Sequence, residues 1–164
     1  MAKKTLDRID LKLLHALQSN AALAMHAAAD RVGLSIAACY KRVQRLKRSR
    51  CIAGEVAVVS PKTMGWPLVM VVLVTIESGQ SARLDDIIRR LSALPEIIEF
   101  HYVTGDYDLV LKVVAEDMEA YDGFLRTQLM TVGNIKDVKT LVALRTVKDR
   151  SAIPPAPRLL AEAG

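Results

Sequence analysis

The residues best placed to do chemistry lie between positions 35 and 49. There Ala37, Lys41, Gln44 and Arg48 recur at three- and four-residue spacing, with Tyr40, Arg42 and Arg45 beside them. On a helix this spacing makes a single stripe, small near its start and cationic further along. Lys, Arg and Gln side chains can hydrogen-bond the base edges displayed in the major groove of duplex DNA, while spare cations hold phosphates. Cys39, Val43 and Leu46 fall on the opposite side at i, i+4 and i+7, and Ser35 stands where a capping hydroxyl is wanted. An ordinary solvated surface helix carries the same pattern, so the stripe alone leaves both readings open.

Other chemistry finds little support. Cys39 and Cys51 form no CxxC pair, and His15, His26 and His101 are scattered, so neither a disulfide framework nor a metal site is expected. Nothing resembles a glycine-rich phosphate loop or a nucleophile elbow. No catalytic residue can be named, and no cofactor is expected.

The elements that would carry the stripe are legible. In residues 7–17 the apolar Ile9, Leu13, Leu14 and Leu17 recur at helical spacing, with Asp7 placed to cap and Asp10 favouring the positive end of the helix dipole. An Ala-rich second helix fits residues 25–32 and stops at Gly33, and a third begins after Ser35. Two helices joined by a glycine turn, the second of them basic, make a helix-turn-helix, with the motif over about residues 25–44. Residues 55–60 alternate weakly, as a short strand or wing, and residues 61–67, with Gly65 and Pro67, read as a linker between a first domain over 1–60 and a second over 68–148.

Charge follows the same division. Residues 1–60 hold eleven Lys and Arg against four acids, a net +7, whereas residues 61–150 hold eleven against thirteen, a net −2. A polyanion-binding module followed by a domain with another task fits that asymmetry.

With 51% hydrophobic, 25% charged and 4% aromatic residues in 164, the chain is that of a folded protein whose core is filled by Leu, Val, Ile and Ala. No run reaches the roughly 18 apolar residues of a membrane span, and the first ten residues lack the apolar core of a signal peptide. No membrane partner and a cytoplasmic, nucleoid-associated location are the expectations.

In the second half, residues 68–77 read as a strand, 82–94 as a helix stopped by Pro95, and 97–104 and 108–115 as strands around a Gly105-Asp106-Tyr107 loop. Asp117 can cap a helix to about residue 130, with Met118, Tyr121, Leu125 and Leu129 on one side, and residues 138–147 supply a last strand. The order β-α-β-β-α-β packs as one antiparallel sheet with both helices on one face, a ferredoxin-like arrangement. Strands apolar on both sides leave the other face to a partner, most simply a second copy. The Pro-rich residues 149–164 read as a loosely held tail. The expected fold class is therefore α+β: an N-terminal winged-type helix-turn-helix domain followed by a ferredoxin-like βαββαβ domain for ligand binding and dimerisation.

The first half contains Leu6-Asp-Arg-Ile-Asp10, Leu14-x-x-Leu17-Gln18, Val32-Gly-Leu-Ser35, Cys39-x-x-Arg42-Val43-x-Arg45-Leu46 and Ile52-x-Gly54. The second contains Val103-Thr-Gly-Asp-Tyr-Asp108, Met118-x-x-Tyr121, Thr140 and Val147-Lys148. In the order and spacing of these pieces, from about Leu6 to Lys148, the chain resembles the Lrp/AsnC family of leucine-responsive, feast/famine regulators. The resemblance implies a homodimer, often assembled into tetramers or octamers, that binds and bends pseudo-palindromic double-stranded DNA to regulate genes of amino-acid metabolism or its own gene. It also implies an amino-acid-like effector held by Thr104, Gly105, Asp106, Tyr107 and Asp108 with Thr140. A carboxylate there can hold an α-ammonium, and Gly105 lets backbone amides approach a carboxylate. By their residues alone, positions 105–108 are equally a plain hairpin turn.

The DNA contacts expected of the third helix come from Ser35, Ala37, Tyr40, Lys41, Arg42, Gln44, Arg45 and Arg48. A non-specific architectural DNA-bending protein is the alternative that the residues leave open, with a sensor acting only through protein partners behind it. The pattern is broken at Ala22, Ala24, Ile36, Arg50 and Glu55, where the family usually has a basic residue, a capping serine, a proline, a glycine and an aromatic. These breaks bear on operator choice and affinity more than on fold.

Overall fold

The computed structural model describes residues 6–77, 81–148 and 153–162. Lys3 and Lys4 of the basic segment, the break at residues 79–80 and the start of the tail lie outside them. The chain divides into two compact units, one of residues 1–58 with 148–164 and one of residues 59–147.

The first unit is built from α1 (Arg8–Ser19), α2 (Met25–Val32) and α3 (Ile36–Arg48). At the head of α1, Asp7 accepts from the Asp10 amide at 2.8 Å while the Asp10 carboxylate accepts from the Asp7 amide at 3.2 Å, a reciprocal capping box. α2 starts at Ala24 with no side-chain cap, as the missing serine implies. It ends on Gly33 at φ 69°, with the Leu34 amide returning to the Ala29 carbonyl at 3.0 Å. Leu13, Ala28, Ala29, Cys39 and Val43 form the core, and Ile9, Leu17, Leu23, Val32 and Ile52 pack around it.

Two expectations are corrected here. Residues 55–60 form no strand and are exposed, so there is no wing among the described residues: no second strand is offered to pair with so weak an alternation. Nor is the described part of the tail loose. The Gln18 side chain accepts from the Ile153 amide at 2.7 Å and donates to the Ile153 carbonyl at 3.2 Å, and α6 (Pro157–Glu162) follows.

In the second unit β1 (Leu68–Ile76), β2 (Ile97–Tyr102), β3 (Leu109–Ala115) and β4 (Ile135–Val142) form one sheet in the order β2-β3-β1-β4, every pairing antiparallel. Met70, Val72 and Val74 on β1 stand beside Val113, Leu111 and Leu109 on β3, all on the side covered by α4 (Ser81–Ser92) and α5 (Met118–Phe124). Ile87, Leu91, Tyr121, Phe124 and Leu129 complete that core. Each fully buried aliphatic side chain contributes about 1.5–3 kcal/mol.

The expected helix through residue 130 is broken up. Asp117 caps α5 as predicted, but residues 125–129 widen into a π-turn and 130–132 tighten to 3-10 geometry before Gly133 at φ 88°. Met118, expected on the inner side, is 53% exposed because it stands at the first position of the helix, outside the packed turn. The last strand runs earlier than predicted, and residues 143–147 are exposed beyond its end.

Candidate nucleic-acid interface and ligand loop

α3 is oriented by its own amphipathicity. Cys39, Val43 and Leu46 are 0–2% exposed, which turns the opposite side outward, and the Ser35 hydroxyl accepts from the Ala38 amide at 3.3 Å to start the helix. Ala37, Tyr40, Lys41 and Arg48 are exposed and Gln44 is half-buried, so the expected stripe faces solvent. Among the described residues neither Lys41 nor Arg48 has an ion pair, and both charges remain available to an anion. Ile36 is 56% exposed at the leading turn and extends the outward face with an apolar group that sequence reasoning had not placed on the stripe.

Arg42 and Arg45 depart from the expectation. Arg45 Nη2 lies 2.5 Å from both carboxylate oxygens of Asp10, which is 0% exposed. Arg42 Nη1 donates to Asp10 Oδ1 at 3.0 Å and also to Asp7. These cations point along α3 toward the start of α1, and their charge is spent on holding the two helices together. The signal was the Asp7-x-x-Asp10 spacing, which reads equally well as a simple cap.

Burial pushes the Asp7 carboxyl up, but hydrogen bonds from Arg42 and the Asp10 amide, with the Arg42 charge, outweigh it and leave the group below its ordinary value. Donating that bond to Asp7 raises Arg42 against the opposing effect of desolvation. The Cys39 thiol is pushed up by burial, as suits a core side chain rather than a nucleophile.

α3 closes with the Arg50 amide on the Lys47 carbonyl and the Cys51 amide on the Leu46 carbonyl, both at 3.0 Å, around Arg50 at φ 56°. This is the helix-ending geometry that glycine adopts without strain, here carried by arginine.

The loop expected to hold an effector is tied at its base. The Val103 amide donates to the Asp108 carbonyl and the Asp108 amide to the Val74 carbonyl, both at 2.9 Å. Asp108 Oδ2 accepts from the Ile76 amide at 2.7 Å, beside the register irregularity at Thr75 and Ile76. This expected ligand-binding carboxylate is therefore engaged in holding the end of β1. Thr104, Gly105 (φ 126°) and Asp106 are exposed at the loop's tip and Tyr107 is half-buried. Thr140 stands opposite Val72 on β4, and its hydroxyl is 2.5 Å from that of Tyr121, so its partner is α5 and not the loop. Burial raises the Tyr121 phenol, with the Thr140 hydrogen bond opposing.

Among the described residues no cluster of His, Cys, Asp or Glu could hold a metal ion, and no helix is long and apolar enough to cross a membrane.

Residues 6–47 match the model of the AsnC-type helix-turn-helix domain, and residues 69–153 match that of the Lrp/AsnC ligand binding domain. The chain is 40% identical over 149 residues to the uncharacterized HTH-type transcriptional regulator y4tD of Sinorhizobium fredii, covering 91% of this chain and 88% of that protein. It is 35% identical over 145 residues to the leucine-responsive regulatory protein of Haemophilus influenzae, covering 88% and 87%. The crystal structure of a transcriptional regulator from Neisseria meningitidis in complex with L-Met superposes with a TM-score of 0.87 at 27% identity, covering 92% of this chain and 97% of that one.

Proposed function

This chain belongs to the Lrp/AsnC family of transcriptional regulators, and from that premise we propose how its parts divide the work. It is a DNA-binding regulator: α3 enters the major groove with Ala37, Lys41, Gln44 and Arg48 outward, Ser35 and Tyr40 at the flanks and Ile36 able to touch a thymine methyl. Arg42 and Arg45 act one step back, fixing the angle of α3 against α1. The observation that carries this is the pair Lys41 and Arg48, exposed and, among the described residues, without ion pairs on the face opposite a closed core.

The effector is an amino acid or a close relative, as the L-Met complex of the Neisseria regulator suggests for a similar fold. Thr104, Gly105 and Asp106, with Tyr107 beside them, are the groups free to meet it, the Asp106 carboxylate taking the ammonium. Asp108 and Thr140 shape the site from behind, through Ile76 and Tyr121. The sheet face away from the helices presents Val69, Val71, Leu73, Val110 and Leu141, with Lys112 and Lys139 among them, a largely apolar face for a second copy. Further assembly of such dimers to tetramers or octamers would bring several loops together, and a cytoplasmic, nucleoid-associated location goes with this reading.

Fluorescence anisotropy with duplex from upstream of the chain's own gene, against random duplex of equal length, tests the DNA part. Preferential binding, with Lys41→Ala and Arg48→Ala each lowering the salt dependence by about one ion, is the expected result. Equal affinity for both duplexes would mean an architectural protein instead. An amino-acid panel read by Tm shift, lost in Asp106→Ala, tests the effector.

A further inference from the structure

α1 has a second buried side that the helix-turn-helix core does not use. Leu11 and Ala16 are only 9% and 5% exposed, yet they stand outside the cluster around Leu13, Cys39 and Val43. They line a groove of about 820 Å³ in the first unit, together with Leu160 of α6. Arg8 and Lys12 of α1 and Arg31 of α2 also line it, and among the described residues no acidic side chain does. None of the three cations has an ion pair among the described residues.

Arg8, Lys12 and Arg31 are exposed where they line the groove, and an anion seated there is attracted to each of them. A DNA phosphate would need the charges but not the floor. The volume falls within the roughly 300–1,000 Å³ of small-ligand sites.

We propose that this groove binds an amphipathic organic carboxylate, its hydrocarbon body on Leu11, Ala16 and Leu160 and its carboxylate among Arg8, Lys12 and Arg31. The site is separate from the amino-acid loop: no residue of positions 104–108 lines it, and α6 lies beyond the residues 69–153 matched by the ligand-binding family model. Charge and apolar surface are both required, so a ligand with only one of them binds poorly.

Titration calorimetry on the full chain tests this with sodium octanoate, octan-1-ol and inorganic phosphate as probes. Octanoate saturates a single site, and the other two bind at least about ten-fold more weakly, the loss expected when a hydrogen bond to a charged group or its apolar counterpart is missing. Lys12→Glu, Arg31→Glu and Leu160→Asp each reduce octanoate affinity by about ten-fold or more, with melting curves showing that each variant folds. Should either charge reversal fail to fold, Lys12→Gln takes its place. Asp106→Ala leaves octanoate binding unchanged while removing the amino-acid response, which keeps the two sites distinguishable. The proposal is overturned if octanoate fails to saturate, or if phosphate or random duplex binds the groove as well as octanoate does. It is equally overturned if octanoate binding survives Lys12→Glu and Leu160→Asp, or is lost only in Asp106→Ala.

Discussion

The carboxylate of Asp10, fully buried at the start of α1, holds Arg45 of α3 through both of its oxygens at 2.5 Å. An ion pair with one member out of reach of water cannot lose a partner cheaply, because the survivor keeps its desolvation cost. Arg45 itself is 39% exposed at its side chain, which moderates the effect.

Arg45→Ala should therefore lower unfolding stability by about 2 kcal/mol, below the 3–5 kcal/mol of a fully buried pair. Arg48→Ala should change it by less than about 0.5 kcal/mol while reducing the salt dependence of DNA binding. Urea midpoints and salt titrations of both variants separate the positioning arginine from the contacting one.

Asp7 titrates below its ordinary value in the folded chain. A depressed carboxylate contributes stability that is complete above the unfolded Asp value near about pH 4 and disappears as pH falls through the folded one. Asp7→Asn removes that contribution, so its urea midpoint should fall less steeply than the wild type's on acidification below about pH 4.

Arg50 occupies left-handed backbone at φ 56°, a conformation that costs a residue with a Cβ about 1–2 kcal/mol. Arg50→Gly relieves the strain but gives back part of the gain as unfolded-chain entropy. A net stabilisation of about 0.5–1 kcal/mol, read as a raised Tm, is expected.

The Tyr121 and Thr140 hydroxyls, 2.5 Å apart, join α5 to the edge strand. Tyr121→Phe should cost about 1 kcal/mol at neutral pH by leaving the Thr140 hydroxyl without this partner. The phenol titrates above its ordinary value, so its share of stability is complete below the unfolded Tyr value and is lost as pH rises through the folded one. The variant's stability should consequently fall less than the wild type's above about pH 10, when urea midpoints are compared across that range.

Periodicity was enough to reveal three N-terminal helices, the glycine stop at residue 33 and the βαββαβ order, because which side of a helix or strand is apolar is a local property of the chain. The outward stripe at Lys41, Gln44 and Arg48 followed from the inward one at Cys39, Val43 and Leu46 for the same reason. Only the tertiary structure decided where long polar side chains go. Arg42 and Arg45 turn to acids more than thirty positions earlier, Asp108 spends an oxygen on Ile76, Thr140 turns to Tyr121, and Gln18 receives a segment 135 residues away. A flexible cation or amide at the edge of a helix face can reach solvent or a neighbour equally well. The choice depends on which backbone and which buried charge the fold brings within about 3 Å, and that is a property of the packed chain, not of its spacing.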